Sequence, residues 1–477
     1  MISKNNAILF LVFLVSLLIS QSVFAMEVAD TIEDLQQIEA TDGMLIEVSG
    51  YHEANDGGGG TFLFDASSSE WADRGMIIRS SKTREGRWLR QKEDGEAINI
   101  KWYGARGDGE SDEYTSIDSA ISYFFSREKE GTIFFPEGTY RISWNLALYE
   151  GVSLLGEGMD LSVIKNTGLG YTRNSFINTT HHHSDDRNLG MKLSDLTIDV
   201  DMYNIGNWIG GIWIEEPFRN LTIERVRLTN SGGNIIRLMK DSLIVDSIFD
   251  NMDGRAISTG WERRPDLRFR NNEIRNNQFI RTAVSPTGPG INLSRAEDNI
   301  IVDNELININ PPGDTYGGIR LPNDSHNNLI AGNTVKNFPR GIWVMSGSQN
   351  NEVRGNTIID SWIVALFMNN SHERNIPTSD NIFADNKVIQ ENPALLDNGV
   401  PALIHLHEDF TYMLINNSVI GNEMIISEAY RDALDRDKRG RQHGAEYIDE
   451  YIYLSNGSQV DDRNNQVYDN IVTIIED

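Results

Sequence analysis

Val302-Asp-Asn-Glu-Leu306, Ala331-Gly-Asn-Thr-Val335, Arg354-Gly-Asn-Thr-Ile358 and Ala384-Asp-Asn-Lys-Val388 are four copies of one pattern. A short apolar strand ends in a polar residue, usually Asn, and a second apolar pair follows. Working outward, the pattern runs from about Leu189 to Met424. Aligned on the residue after the first strand, it gives Leu196, Val226, Ser247, Asn272, Asn304, Asn333, Asn356, Asn386 and Asn417. The successive gaps are 30, 21, 25, 32, 29, 23, 30 and 31 residues. Repeats of this length built from short strands and turns imply a solenoid whose units bury their apolar faces only by stacking. Asn suits an inward turn, because it tolerates left-handed geometry and its amide can bond to the next copy one rung along. Leucine-rich-repeat spacing and a helical half-unit are missing, so the expected fold is all-β, a parallel β-helix.

Each unit also carries a strand of the type Gly-Ile-x-Leu. Period-two alternation turns its aliphatics inward and x outward. Position x reads Trp213, Arg237, Ser258, Asn292, Arg320, Trp343, Phe367 and His405. With stacked strands ~4.8 Å apart, these eight form one outward stripe about 35 Å long. A second outward position adds Glu215, Met239, Met345, Asn369 and His407. Aromatic faces interleaved with Arg and Asn are the surface a polysaccharide groove requires. Rings pack on apolar sugar faces, and guanidinium forks grip carboxylates or sulfates.

The remaining composition narrows the classes. Forty-two Lys+Arg stand against 70 Asp+Glu, a formal net charge of −28, which repels phosphate backbones and anionic lipid surfaces. Neither nucleic acid nor a membrane surface is therefore an expected partner, and nothing in the sequence separates a monomer from a homo-oligomer. There is no cysteine, which removes disulfides, thiolate catalysis and cysteine-ligated metals. At the N-terminus Lys4 precedes an apolar run from Ala7 to Ile19, and Ser22-Val-Phe-Ala25 offers a cleavage site. Residues 1–25 are thus expected to be a signal peptide, and the mature chain to be extracellular or periplasmic. Residues 26–95 read as a small β-rich domain and residues 96–424 as the β-helix, the catalytic domain. A capping helix carries Ile117, Ala120, Ile121 and Phe124 on one face, with Ser111 or Asp112 as its N-cap. Residues 425–477, with a charged helical stretch at 428–441, read as a C-terminal cap.

Several of these stretches resemble a known family. Ile98-Asn-Ile-Lys-Trp-Tyr-Gly-Ala-Arg-Gly-Asp-Gly-Glu-Ser-Asp112, followed by a helix, is similar to the entry motif of pectate-lyase-like proteins. Thr132-Ile-Phe-Phe-Pro-Glu-Gly-Thr-Tyr-Arg141 and Leu154-Leu-Gly-Glu-Gly158 resemble that group's first rungs. Asp56-Gly-Gly-Gly-Gly-Thr-Phe62 and Gly86-Arg-Trp88 resemble the leader segment of phage tailspike-type members. The resemblance implies a right-handed helix, as does the crossover rule for parallel strands. It also implies action on a polysaccharide. It does not choose a reaction, since the family holds lyases, hydrolases, epimerases and depolymerising spikes. The catalytic signatures of its members do not settle the matter either. The Asp-Asp strand and Gly-His-Gly turn of polygalacturonases are missing, and where alginate epimerases carry Asp-Pro-His this chain reads Gly233-Asn-Ile-Ile-Arg-Leu-Met239.

Two chemistries compete on the stripe. β-Elimination from a uronate needs a cation on the carboxylate and a base for the adjacent proton. Arg237 and Arg320 are candidates for the first role; Tyr316, His405 or an arginine is the candidate base. Hydrolysis needs two carboxyl groups flanking the bond, for which Glu215, Asp253 and Asp314 are available. Trp213, Ser258, Asn292, Trp343, Phe367 and His407 are the expected sugar contacts. The stripe holds two arginines and one acid, which favours a polysaccharide lyase over a glycoside hydrolase. A carbohydrate-binding or adhesive protein would show the groove without the acid, base and cation. His181-His-His183 reads as a surface loop, since three adjacent residues cannot converge on one ion. The resemblance implies Ca2+ as a cofactor of many such lyases, with the acidic turns Asp199–Asp201 and Asp253 as the places for it.

Overall fold

The computed structural model describes residues 27–127, 130–168, 175–180, 189–206, 209–214, 218–233, 235–236, 239–259, 268–281, 290–309, 317–370, 376–392, 402–408, 414–432, 446–449, 451–455 and 464–476. The signal-peptide stretch and the His181–His183 loop lie outside these residues. Two compact units result, one ending at Glu96 and including Lys101–Gly104, the other holding Ala97–Ile100 and everything from Ala105 onward.

The first unit is a five-stranded sheet in the order Glu27–Ala29, Leu45–Val48, Gly60–Asp65, Arg87–Arg90, Ile77–Ile78. Alternation along Gly60–Asp65 buries Phe62 and Phe64 against Trp88. The helix Ile32–Gln37 is held by a capping box, in which Thr31 and Asp34 each accept the other's backbone N–H at 3.1 Å. The glycine run has a specific use here. Buried Arg90 donates to the carbonyls of Gly58 at 2.8 Å and Gly59 at 2.6 Å. A Cβ on Gly59 would stand 2.4 Å from the Val48 carbonyl oxygen, so the backbone approach admits only glycine.

The second unit is a parallel β-helix. Its longest sheet receives two strands per rung, such as Ile300–Val302 and Glu305–Asn308, which pair with Leu329–Ala331 and Thr334–Lys336 of the next rung. Inward residues Ile301, Leu306, Ile330, Val335, Val353 and Ile358 are fully buried. The helix Tyr114–Ser126 covers the first rungs with Ile117, Ala120, Ile121 and Phe124. It begins later than expected. Glu113 occupies the capping position, and Asp112 instead accepts from the Tyr114 N–H at 3.2 Å and from the Ser143 hydroxyl at 2.5 Å. The Glu113 carboxylate turns back to accept the N–H groups of Arg106 and Gly107.

The asparagine repeat proves to be two ladders, at two separate corners of each rung. One runs Ser242, Asn272, Asn299, Asn328, Asn351, Asn381, Asn417, Asn465; the other runs Ser247, Asn277, Asn304, Asn333, Asn356, Asn386, Asn422, Asn470. The single alignment above crosses between them at Asn272 and again at Asn417. That crossing produced its gaps of 25, 32 and 31 residues. Both ladders share the same true spacings, 30, 27, 29, 23, 30, 36 and 48 residues. The left-handed residue is also not the ladder asparagine but the one before it, Asp303, Asp385, Asn327 or Gly332 for example. Each ladder asparagine is then free to point inward and bond to its neighbours above and below. The solenoid continues past Met424 as well. Gln466–Tyr468 and Ile471–Ile475 stack on Ser418–Ile420 and Glu423–Ser427, completing a further rung. Of the expected terminal helix, Glu428–Asp432 is helical, and residues 433–445 lie outside the described set.

Candidate functional site

From Ile257–Ser258 onward the Gly-Ile-x-Leu strands lie side by side in one sheet, while Gly210–Ile214 and Ile235–Ile236 belong to a separate four-stranded sheet. Register places Ser258 beside Asn292, then Arg320, Trp343, Phe367, His405 and Tyr453 in a single column. A second column holds Met345, Asn369, His407 and Ser455. Upstream the expected register fails. Trp213 stands opposite Ile235, two residues before Arg237. Arg237, Glu215, Asp314 and Tyr316 lie outside the described residues, as does everything about Trp213 beyond its backbone.

The column is not an open solvated stripe. Ser258, Asn292, Phe367 and His405 are buried, and even Trp343 is only 9% exposed. The cause is packing along the column itself. Ring centroids of Trp343 and Phe367 are 5.2 Å apart, those of Phe367 and His405 5.1 Å, and those of His405 and His407 5.2 Å. Trp343, Met345, Val364 and Phe367 form a hydrophobic cluster of their own. The Trp343 indole N–H donates to the Asn369 side-chain oxygen at 2.7 Å. Two guanidinium groups flank the rings. That of Arg320 sits 4.5 Å from the Trp343 centroid; that of Arg340 sits 4.7 Å from Trp343 and 5.5 Å from Phe367. Such stacking orients both cations, and the Arg320 Nε–H and Nη2–H also lean on the Met345 sulfur at 3.2 and 3.1 Å. The buried Asn292 side-chain oxygen has no hydrogen-bond partner among the described residues, so this rung presents an acceptor.

Arg340 escapes the sequence reading because alternation assigns it inward. The strand Arg340–Met345 turns a corner at Gly341, where an added Cβ would meet Ile358 of the interior. Gly341 and Ile342 thus both face inward, and the residue before them is reversed. An Arg ahead of Gly-Ile-Trp is the signal that could have found it.

Three family profiles match the chain. Rhamnogalacturonase A/epimerase, pectate lyase-like, matches residues 97–263. The right-handed β-helix region matches residues 269–474, and the small four-stranded β-sheet domain of phage tail proteins matches residues 28–108. The chain is a right-handed parallel β-helix of the pectate-lyase-like superfamily. Among curated relatives of this β-helix, mannuronan C5-epimerase AlgE4 of Azotobacter vinelandii is 30% identical over 188 residues, 32% of this chain and 33% of the relative. Alginate lyase 7 of the same organism is 29% identical over 149 residues, 27% of this chain and 16% of the relative. The match thus spans a third or less of either relative. Among solved structures, the A-module of mannuronan C-5 epimerase AlgE6 from A. vinelandii superposes with TM-score 0.53 at 18% identity, covering 79% of this chain and 99% of that one. The enzymatically active domain of bacteriophage CBA120 tailspike protein 2 gives 0.52 at 15% identity, covering 87% and 59%. A tailspike of Acinetobacter baumannii bacteriophage Fri1, described as a capsular polysaccharide depolymerase, gives 0.52 at 13%, covering 93% and 75%.

Within this pectate-lyase-like helix the acids and histidines divide. Asp253 sits in the turn before Ile257–Ser258, where its N–H donates to the Ser231 carbonyl at 2.9 Å. Five rungs separate it from His405, roughly 24 Å at ~4.8 Å each, so the two do not meet. The implied calcium does not fit the acidic turn either. Asp199 and Asp201 both pair with Lys165, at 2.9 and 3.3 Å, and among the described residues no group of three His, Asp or Glu is placed to hold a metal. His405 is the chemically distinctive group. Burial, then His407 and Arg340, pull its imidazole down to about 3, so it is neutral at pH 7. Its pKa in the folded state is below the unfolded value near ~6.5. Its contribution to stability is therefore full above about pH 6.5 and is lost as pH falls toward 3. Chemical denaturation between pH 6 and 4 should show a slope shallower in His405→Gln than in the native chain, by up to about 1.4 kcal/mol per pH unit.

Proposed function

We propose that this protein cleaves an acidic, uronate-containing polysaccharide by β-elimination at the column from Arg320 to His407. The observation that carries this reading is the pairing of two ring-stacked guanidiniums with a neutral imidazole on one column. From Asn292 to Tyr453 that column contains no carboxylate, as hydrolysis by paired acids would require. In the proposed reaction the uronate carboxylate docks beside Arg340, the guanidinium whose charge acts on His405, which acidifies the neighbouring C5–H, while Arg320, three strands from His405, faces a neighbouring sugar of the polymer. His405 takes the C5 proton, the C5–H electrons form the C4–C5 double bond, and the C4–O4 bond breaks. The departing oxygen takes up a proton from solvent. Sugar contacts would fall on the half-buried Arg320, Arg340 and His407, since Trp343, Phe367 and Asn292 are buried.

The relatives are named for mannuronan and alginate, which makes these uronate polymers the first substrates to try. They also favour a second reading. A C5-epimerase begins with the same proton removal and then returns a proton to the opposite face, leaving the glycosidic bond intact. Export through residues 1–25 fits either reading, since a polymer too large to enter a cell must be met outside it.

The test is incubation of residues 26–477 with polymannuronate, alginate, pectate and sulfated glycans in D2O. Absorbance near ~235 nm and reducing ends are recorded together, because elimination and hydrolysis both break the bond through different groups. The expected result is rising absorbance with new reducing ends on a uronate polymer. Deuterium at C5 without new ends would replace the lyase by the epimerase. Reducing ends without absorbance would sink both and return attention to Glu215, Asp253 and Asp314.

A further inference from the structure

The capping helix Tyr114–Ser126 does more than cover the first rungs. Beside the core stripe of Ile117, Ala120, Ile121 and Phe124, helical spacing aligns Tyr114, Asp118 and Phe125 on one flank. Phe125 stacks on Tyr149 with centroids 4.1 Å apart and planes at 30°. Tyr114 lies 6.5 Å from Trp144, in the turn before the strand Leu146–Tyr149, and Trp144 is 43% exposed. The Tyr114 and Tyr149 hydroxyls both interact with the Asp118 carboxylate. Two half-exposed tyrosines thus flank one carboxyl group, with Trp144 beside Tyr114 and Phe125 against Tyr149.

The position of this cluster gives it meaning. Leu146–Tyr149 is the first strand of the face that carries the candidate site. It pairs with Ser175–Thr180, then Gly210–Ile214 and Ile235–Ile236, which adjoin Ile257–Ser258 and the column beyond. Leu146 and Leu148 are buried, so Ala147 and Tyr149 point outward on that face. From the Ala147 rung to those of Trp343 and His405 is seven to nine rungs, roughly 34–43 Å at ~4.8 Å each. That is several sugar residues. A core-packing role alone would not leave Trp144 in solvent, and rings around a hydrogen-bond acceptor match a pyranose, apolar on its faces and hydroxylated at its rim.

We propose that Tyr114, Phe125, Trp144, Tyr149 and Asp118 form a remote sugar subsite that holds the polysaccharide where it runs beyond the cleavage column. The subsite takes a pyranose whose own carboxylate faces away from Asp118. This inference rests on the reading of the column as the place where a polysaccharide is bound.

The experiment compares native chain, Trp144→Ala and Asp118→Asn on full-length polymannuronate and on its tetrasaccharide, which is too short to bridge both places. The expected result is a KM for the polymer raised about fivefold to tenfold in Trp144→Ala, with kcat and the tetrasaccharide KM unchanged. A polymer KM that does not move, or one that rises together with the tetrasaccharide KM, overturns the subsite. Retardation in native gels cast with alginate or pectate separates this from the reaction itself, since it needs no turnover. A native chain retarded more than Trp144→Ala supports the subsite even if nothing is cleaved. Equal mobility in every gel overturns it even if cleavage occurs.

Discussion

An Asn333→Ala chain is expected to lose about 4 kcal/mol of stability, most of it through hydrogen-bonding groups left buried and unpaired. Asn333 is fully buried. Its side-chain oxygen accepts from the Asn304 backbone N–H at 3.0 Å and from the Asn304 amide at 2.9 Å. Its amide donates to the Asn356 oxygen at 2.9 Å, the Ile301 carbonyl at 2.8 Å and the Ala331 carbonyl at 3.1 Å. Alanine removes all of these and leaves each partner in a dry interior, where one orphaned group costs about 1–3 kcal/mol. The loss is comparable with the whole margin of a typical domain, about 5–15 kcal/mol. Asn470 supplies the control. It ends the same ladder and is part-exposed, so water can replace what its truncation removes. Asn470→Ala should cost about 1 kcal/mol. Urea denaturation followed by far-UV circular dichroism measures both. Equal losses would mean that the ladder is decoration on a solenoid held by its aliphatic core alone.

A His405→Gln enzyme is expected to lose about 10²–10⁴-fold in kcat toward a uronate polymer, with KM little changed, because a positioned general base contributes that much. Glutamine keeps a polar side chain of similar reach beside Phe367 but cannot take a proton at neutral pH. Arg340 makes a second, sharper test. Its positive charge helps to hold the His405 imidazole down, so Arg340→Ala should let that pKa rise. The acid limb of the pH–rate profile should then move to higher pH, since the base stays protonated further up the scale. A limb that stays put would mean that His405 is not the group titrating in the reaction.

The sequence reading and the structure part company at identifiable places. The Gly-Ile-x-Leu register is legible from Ser258 to His405, because each strand carries a single aliphatic pair that can only face inward. Gly233-Asn-Ile-Ile-Arg-Leu-Met239 offers one such pair, Ile236 and Leu238, which selects Arg237, and a slip of two residues leaves the same side chains on the same face. Hydrophobic pattern therefore points to Arg237, whereas the partner of Trp213 is Ile235. Alternation likewise says that Trp343 and Phe367 point away from the interior, not that they will pack on each other and on two arginines. Arg340 was hidden by the corner at Gly341, a change of backbone direction that a period of two does not encode. The final rung was missed because the ladder spacing lengthens to 36 and then 48 residues before Asn465, beyond the range that identified the repeat. The leader unit was readable in outline from its aromatics and glycines; the use of Arg90 to hold the Gly58 and Gly59 carbonyls was not.

The most direct measurement is a paired assay of the native chain on one uronate polymer and on the same polymer with its carboxyl groups reduced to alcohols. Elimination through a carboxylate held at Arg340 requires the acid, because only its neutralised carboxylate makes the C5 proton removable. The expected result is growth of absorbance near ~235 nm on the native polymer and none on the reduced one. Equal release of reducing ends from both would contradict the column as a site of elimination.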